Sequence, residues 1–440
     1  MTDCSEGDRM SLRTILDFYM LRRNLHRSPQ ELKTMQMKML HAILEHSYEN
    51  VSFYHRKFRN ANVKPDDIKK TEDLTKIPTT TKKELQSTPL NEILAKDIDI
   101  SKCRKMLTSG STGIPLTIIA DSRTAYFYEA LWARACFENG LKLLDKMVVI
   151  RDPHNFPAKR KWLHRLNIIR REHVSVFDDG EMQLKFLEKY KPDALRGYPS
   201  AIAILASLCR QRTCSFKPRL AFTGSEILDG ETRKLIGSVF NSEVFDNYGC
   251  MEFSLLAWEC REHKGYHVNV DNIVMELIQN NEVVSPGERG EVVCTGLANY
   301  VMPFIRYRLD DVCVSNEELC PCGLKLPLIE TLEGRTDDFL VTLDGRLISP
   351  MAFFPYPFEE NGIEGIDQFR VVQEKKDKLT FQLVPNERFS SNPRYLENAK
   401  EEIRRLFGED MQVEFQLLKE LGKGSGGKLR KIVRLFSLNM

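Results

Sequence analysis

The chain's clearest candidate for anion binding is a run of six small or hydroxylated residues, here called the glycine-serine loop. It consists of Thr108, Ser109, Gly110, Ser111, Thr112 and Gly113. Small residues let the backbone close around an anion, while hydroxyl and amide groups donate hydrogen bonds to it. Because Ile114-Pro115 follows instead of the Lys-Ser/Thr of a Walker-type loop, a different kind of phosphate loop is predicted. Taken alone, the run fits a polar surface turn equally well.

Four more segments rich in glycine, charged and aromatic residues follow along the chain. They are Tyr248-Gly249-Cys250-Met251-Glu252, Tyr307-Arg308-Leu309-Asp310-Asp311, Gly334-Arg335-Thr336-Asp337-Asp338 and Gly426-Gly427-Lys428-Leu429-Arg430. In this order and at these spacings, the five motifs resemble those of the adenylate-forming superfamily of acyl-CoA synthetases, adenylation domains and luciferases. The resemblance runs from about residue 100 to the C-terminus.

Three further segments narrow the resemblance to the phenylacetate-CoA ligase-like group and its capsule-biosynthesis, CapK-type relatives. They are Arg306-Tyr307-Arg308, Gly265-Tyr266-His267 and Cys320-Pro321-Cys322-Gly323. This resemblance implies an AMP-forming acid–thiol ligase, which joins a carboxylic acid to AMP, releases pyrophosphate and then transfers the acyl group. ATP, Mg²⁺ and CoA are the implied small-molecule partners.

The resemblance also implies which residues bind the nucleotide. The glycine-serine loop would hold the β- and γ-phosphates. Tyr248, with Gly249 beside it, would flank the adenine, and a strand-end turn of Gly224, Ser225 and Glu226 would lie on the other side. Asp311 would accept hydrogen bonds from the ribose hydroxyls, and Arg335 would contact ribose or phosphate.

Two residues would carry the chemistry in the same comparison. Glu252 would bind Mg²⁺, which neutralises charge on the leaving pyrophosphate. Lys428 would place an ammonium between the substrate carboxylate and the α-phosphate, where two anions must meet. Asp337 matches the hinge position about which a C-terminal lid would turn.

Each of these residues also has a purely structural interpretation. Asp311 and Arg335 could form a surface ion pair, and Glu252 could be an acid at a helix N-terminus. Lys428 could belong to a solvated basic face with Lys423, Arg430, Lys431 and Arg434. The ordered set of motifs favours the functional interpretation.

The chain departs from the superfamily pattern at three places. Leu309-Asp310 stands where Thr-Gly is usual, so Asp310 is an alternative ribose ligand to Asp311. Gly-Gly-Lys replaces Ser-Gly-Lys around Lys428. The stretch from Phe339 to Pro350 lacks the Gly-Val-Asn segment of aryl-CoA ligases, which leaves the use of CoA open.

Cysteine and histidine spacing predicts a structural zinc site. Three thiolates and one imidazole, from Cys260, His267, Cys320 and Cys322, would complete a closed tetrahedral shell. His263 could replace His267, and Cys313 is a further candidate. Without metal, the same residues would be ordinary core or surface residues.

The acid pocket is expected between Arg196-Gly197-Tyr198-Pro199-Ser200 and a helix after Tyr248, with Tyr198, Phe222, Phe253 and Leu256 as walls. Arg151 to Asn155 could add polar groups. Three functions compete: acyl transfer to CoA, transfer to another acceptor such as an amine, and a non-catalytic nucleotide-binding scaffold. Intact Lys428, Glu252 and the glycine-serine loop argue against the scaffold.

The elements that must position these residues follow from periodicity. About residues 1–100 are helical, short apolar runs then alternate with helices, and antiparallel hairpins are expected from Glu276 to Val314. The predicted fold class is α/β. It comprises a large domain (1–336) with mostly parallel sheets and a β-rich subdomain, and a small mobile α+β C-terminal lid (337–440).

The composition of the chain limits its possible partners and its location in the cell. A net charge of +2 gives no reason to expect a nucleic-acid partner. The most apolar run, Ala201 to Cys209, is far shorter than the roughly 20 residues of a membrane helix, and no secretory signal is visible at the N-terminus. Eleven scattered cysteines indicate reduced thiols and a cytoplasmic location. A monomer and a homodimer remain equally open.

Overall fold

The structure is a computed structural model of the chain. It describes residues 4–108, 116–153, 156, 170–212, 214–316, 318–335, 339–348, 365–387, 389, 392–422 and 429–436.

The described residues form ten α-helices and three short 3₁₀ helices. The α-helices are α1 (Cys4–Asn24), α2 (Pro29–Asn50), α3 (Ser52–Asn60), α4 (Lys82–Ser87), α5 (Leu90–Ile93), α6 (Ser122–Glu138), α7 (Gly180–Tyr190), α8 (Pro199–Gln211), α9 (Gly230–Phe240) and α10 (Pro393–Phe407). The 3₁₀ helices are Pro65–Asp67, Thr71–Lys76 and Ile100–Lys102. None of these helices is both long and apolar enough to cross a bilayer.

The described strands number twenty. They are β1 (Arg104–Leu107), β2 (Thr117–Ala120), β3 (Lys146–Arg151), β4 (Arg170–Ser175), β5 (Ala194–Gly197), β6 (Leu220–Gly224), β7 (Glu243–Cys250), β8 (Ser254–Glu259), β9 (Tyr266–Val268), β10 (Ile273–Gln279), β11 (Glu282–Val283), β12 (Arg289–Gly296), β13 (Tyr307–Asn316), β14 (Leu328–Arg335), β15 (Leu340–Val341), β16 (Leu347–Ile348), β17 (Ile366–Lys375), β18 (Lys378–Pro385), β19 (Gln412–Leu417) and β20 (Ile432–Arg434). The mixed α/β fold with a C-terminal α+β region confirms the predicted fold class.

One compact unit comprises Met1–Leu144, Lys159–Ile168 and Phe245–Leu332. Its main strands lie side by side in the order β11, β10, β12, β13, β14, β9, β8, β7, and β1 pairs with β2 in a separate hairpin. Helix α2 shows why the N-terminal helical region of this unit could be predicted from the sequence. Ser28 and Glu31 form a capping box, and Pro29 occupies the first helical turn.

The second unit comprises Asp145–Ala158, Ile169–Val244 and Glu333–Met440. Strands β6, β5, β3 and β4 lie in this order, and each neighbouring pair among them is parallel. The C-terminal strands form a four-stranded sheet in the order β19, β18, β17, β20, packed with α10 around Phe381 and Ile403. The predicted domain boundary and its hinge Asp337 lie outside the described residues, so both stay predictions.

Arg306 fixes the position of the strand that carries two predicted site residues. Its Nε donates to Glu276 Oε2 at 3.0 Å, and its Nη1 donates to the carbonyl of Ile77. Both charged side chains are nearly excluded from water. In such a buried environment an unpaired charge would be very unfavourable. The pair therefore ties the N-terminal helical region to the start of β13, directly before Tyr307.

Two expectations are wrong. Tyr248 is followed by a turn and the strand β8, not by a helix, so Glu252 does not lie at a helix N-terminus. Cys209 and Cys214 form a disulfide with a Cα–Cα distance of 5.4 Å, whereas reduced thiols were predicted throughout. The short separation of these two cysteines in the sequence was the available signal.

Candidate active site and metal centre

The glycine-serine loop lies in the connection of the β1–β2 hairpin. Thr108 joins both ends of the connection. Its N–H donates to the carbonyl of Leu116 at 3.0 Å, and its Oγ1 accepts from the N–H of Leu116 at 2.8 Å. Ser109, Gly110, Ser111, Thr112 and Gly113 lie outside the described residues. The two hydrogen bonds thus pair the described residues on either side of this connection.

Gly224 is the last residue of β6, and Ser225 and Glu226 form a bend directly after it. Ser225 has a φ of +69°, a conformation that non-glycine residues adopt rarely and mainly at functional sites and tight turns. Glu226 joins two segments: its Oε2 accepts from the N–H of Ser200 at 3.1 Å, and its Oε1 accepts from the N–H of Leu429 at 2.6 Å. Leu429 directly follows Lys428 in sequence.

A buried tyrosine and an aspartate join β7 to β13. The Tyr248 hydroxyl donates to Asp311 Oδ2 at 2.6 Å. Burial, followed by the Asp311 carboxylate, holds the pKa of Tyr248 well above its usual value, so the phenol stays protonated and a donor. Asp310, the alternative ribose ligand, has a φ of +58°. Of the two aspartates, Asp311 is the one that contacts Tyr248.

Gly249 is required by the close approach of β7 and β8. A Cβ atom there would lie 2.3 Å from the backbone oxygen of Ser254, far inside van der Waals contact. The glycine lets the chain turn tightly, and the turn holds Glu252 beside β13.

Glu252 is 7% exposed and makes two contacts. Its Oε1 accepts from the Tyr307 hydroxyl at 3.1 Å, and its backbone oxygen accepts from the Tyr128 hydroxyl at 3.2 Å. Burial and the Glu252 carboxylate raise the pKa of Tyr307, which therefore remains a donor. The segment of Tyr248 to Glu252 is thus tied to β13 at both of its ends.

The four predicted zinc ligands come together. Cys260 follows β8, His267 lies in β9, and Cys320 and Cys322 lie between β13 and β14. Their ligand atoms are all within 4.8 Å of one another. Cys260 Sγ is 3.5 Å from Cys320 Sγ, and Cys322 Sγ is 3.3 Å from His267 Nε2.

These distances fit a tetrahedral zinc shell. Zn–S bonds of about 2.3 Å and Zn–N bonds of about 2.0 Å place neighbouring ligand atoms roughly 3.5–3.8 Å apart. Burial lowers the pKa of His267 to about 4, so the imidazole is neutral, as a metal ligand must be. The alternative ligands are not part of the cluster: His263 Nδ1 contacts Glu259 at 3.3 Å, and Cys313 is buried in β13.

The chain is similar in sequence to known CoA ligases. Phenylacetate-coenzyme A ligases from Pseudomonas putida and Escherichia coli (strain K12) are each 28% identical to the chain, over 76% of the chain and 76% of the relative. Residues 340–435 match the CapK C-terminal domain. The chain is a relative of the phenylacetate-CoA ligases. The predicted resemblance to the phenylacetate-CoA ligase-like, CapK-type group of the adenylate-forming superfamily is confirmed.

The fold of the chain also matches solved structures. The crystal structure of 2-hydroxyisobutyryl-CoA ligase in the postadenylation state, in complex with 2-HIB-AMP, has a TM-score of 0.76 and 20% identity, and the match covers 94% of this chain and 91% of that one. At this identity the match establishes the fold. The predicted enzyme class, an AMP-forming acid–thiol ligase, is the class of the sequence relatives and is confirmed.

The residues predicted to line the acid pocket belong to both units. Tyr198 caps the start of α8 and Phe222 lies in β6, both in the second unit. Phe253 belongs to the first unit, is 1% exposed and packs with Phe304 at a ring distance of 5.6 Å. Leu256 is fully buried as well. Phe253 and Leu256 are thus core residues.

Three other predicted site residues lie wholly or partly outside the described residues. Lys428 and Asp337 lie outside the described residues, as does the side chain of Arg335. Sequence reasoning undervalued Lys431, whose Nζ pairs with Asp229 and donates to Thr232 Oγ1 at 3.1 Å. Its position three residues after Lys428 was the available signal.

Proposed function

We propose that this chain adenylates a carboxylic acid with ATP and transfers the acyl group to the thiol of CoA. The observation that carries the proposal is the pair of hydrogen bonds that join Tyr248 to Asp311 and Glu252 to Tyr307. They gather residues from two of the five motifs at the β7–β8 turn and β13. The half-buried carboxylate of Asp311 suits a ribose, and the buried carboxylate of Glu252 suits a cation.

In the adenylation step, the acid's carboxylate attacks the α-phosphorus and pyrophosphate leaves. The glycine-serine loop donates hydrogen bonds to the departing phosphates, and Glu252 would hold the Mg²⁺ that neutralises their charge. Asp311 orients the ribose. Lys428 reduces the repulsion between the two reacting anions, and the contacts of Leu429 and Lys431 hold the adjacent backbone. The acceptor thiol then displaces AMP.

Acid-dependent ATP–pyrophosphate exchange tests the adenylation step. Glu252→Gln keeps the size of the side chain but removes its charge, so exchange should fall by roughly 10²-fold or more. Glu282→Gln, on the exposed strand β11, is the matched control and should leave exchange unchanged. ATP binding without exchange by the wild-type protein, across aryl, fatty, hydroxy and amino acids, would favour the scaffold alternative.

The acceptor is tested by product analysis. Wild-type protein is given ATP, an active acid, and either CoA or an amine donor such as an amino sugar. Formation of the thioester supports the proposal, since the relatives are CoA ligases. Formation of the amide alone would replace CoA by an amine as the acceptor.

We propose in addition that Cys260, His267, Cys320 and Cys322 bind a structural Zn²⁺. Four protein ligands leave no open position for substrate, so the metal would stabilise the turn between β13 and β14 rather than react. Elemental analysis of the purified protein should give one zinc per chain. Cys322→Ser should lose it, and Cys103→Ser, a thiol outside the cluster, should keep it.

A further inference from the structure

One face of the parallel sheet in the second unit carries an unusual set of cationic side chains. Val148, Ile150, Leu195 and Ala221 pack into the core cluster that contains residues of α7, α8 and α9. Because side chains alternate along a strand, the residues between them point to the opposite face.

The strand register identifies the residues of this face. Val149 in β3 lies beside His173 in β4 and Arg196 in β5, and Arg196 lies beside Phe222 in β6. Two residues away in β3, Arg151 shares the same face, and Arg171 of β4 lies beside Met147. Three arginines and one histidine therefore line a surface that also includes the predicted pocket residue Phe222.

Arg151 is placed at the edge where ligands bind in sheets of this kind. It is the last residue of β3, Tyr198 directly follows the end of β5, and Gly224 is the last residue of β6. Ligands of open α/β sheets bind beyond the carboxyl ends of the parallel strands. The end of this sheet is thus also the end to which the predicted acid pocket belongs.

The surroundings of Arg151 leave its charge without a direct partner among the described residues. The guanidinium is half-buried and forms no hydrogen bond or ion pair with another described side chain. Asp152 and Tyr198 are near enough to affect it, but so is the positive charge of Arg171, and burial lowers its pKa. A half-buried guanidinium of this kind is stabilised by an anion that can accept two hydrogen bonds.

Tyr198 adds a second donor at the same place. Burial, followed by the charge of Glu226, raises the pKa of Tyr198 to about 12, so its hydroxyl stays protonated. Glu226 itself accepts two backbone N–H groups. It is therefore already engaged near the sheet edge.

We propose that the acid activated by this chain carries a second anionic group, such as a second carboxylate, and that Arg151 binds it. The inference rests on the proposed function and specifies its substrate class. The carboxylate that reacts with ATP is the other one of the same molecule.

The test compares matched acids in ATP–pyrophosphate exchange. Adipate is paired with hexanoate, and 4-carboxyphenylacetate with phenylacetate, so each pair differs mainly by one carboxylate. The wild-type protein should prefer the diacid. Arg151→Gln should lower kcat/KM for the diacid by about 10- to 100-fold, the range expected for a lost charge-assisted hydrogen bond, and should change the monoacid little.

Two further variants complete the experiment. Arg151→Lys keeps the charge and should retain the preference for diacids at a reduced rate, and it substitutes for Arg151→Gln if that variant fails to fold. Arg59→Gln, exposed on α3, should behave as wild type. Equal use of monoacids and diacids, unchanged in Arg151→Gln, overturns the inference while adenylation stands. Silence of the wild-type protein with all four acids and with the wider panel overturns the proposed function as well.

Discussion

The ion pair of Lys431 with Asp229 offers the sharpest perturbation of the proposed mechanism. Lys431 lies three residues after the proposed catalytic Lys428, and its ammonium pairs with Asp229 at the start of α9. The two side chains are only 18% and 7% exposed. Lys431→Met removes the charge and keeps a long, flexible side chain, so the segment of Leu429 to Lys431 loses its strongest contact to α9.

The size of the effect follows from these contacts. A hydrogen bond between charged groups contributes about 1.5–3 kcal/mol. Asp229 would keep its bond to the N–H of Thr232 at 2.9 Å, so the loss should lie near the middle of this range, at about 2 kcal/mol. If that difference appears in the transition state for adenylation, it corresponds to a rate about 30-fold lower.

The assay is ATP–pyrophosphate exchange with an active acid. Because Lys431 would act through the position of Lys428, kcat should fall while KM for ATP changes little. Lys400→Met, which removes a partly exposed lysine of α10, should have no effect. In a Lys428→Ala background, Lys431→Met should cause no further loss. Independent, multiplicative losses in the double variant would refute the positioning role, as would full activity of Lys431→Met.

Three further predictions follow from other contacts. Phe253→Ala should lower the free energy of unfolding by about 3–5 kcal/mol, because it empties a buried site; an unchanged melting temperature with an altered acid preference would restore Phe253 to the pocket wall. Zinc chelation should lower the melting temperature of the wild-type protein but not that of Cys322→Ser, whose melting temperature is already reduced; equal shifts in both would contradict the metal site. Burial raises the pKa of Asp229, but the Lys431 charge and the α9 N-terminus outweigh burial and lower the pKa overall. The ionised form of Asp229 therefore stabilises the fold above about pH 4, and this contribution is lost as the pH falls further. Acid unfolding of Asp229→Asn should depend less on pH below that value than acid unfolding of the wild-type protein.

The regular elements were predictable because their signals are local. The capping box of Ser28 and Glu31 marks the start of α2, and Pro393 marks the start of α10. The zinc ligands were also predictable, since Cys320 and Cys322 are two residues apart. The strand β9 then decides between two histidines by placing His267, not His263, at the thiolates.

The elements that sequence reasoning missed depend on distant contacts. The helix expected after Tyr248 is a hairpin because Gly249 lets β7 approach the Ser254 carbonyl, which no local preference reveals. Lys431 looked like part of a solvated basic face, but Asp229, 202 residues earlier, gives it a specific partner. Phe253 is a residue type that often lines binding pockets, and only its packing shows that it belongs to the hydrophobic core.

Glu226 has one more consequence, for energetic coupling. One carboxylate holds the first turn of α8 through Ser200 and the backbone beside Lys428 through Leu429. A ligand that shifts the α8 end changes the free energy with which the C-terminal segment is held. By linkage, holding that segment changes the affinity for the ligand by the same factor. In the proposed function, recognition of the acid and the position of Lys428 are therefore energetically coupled, and a substitution at Glu226 should remove this coupling.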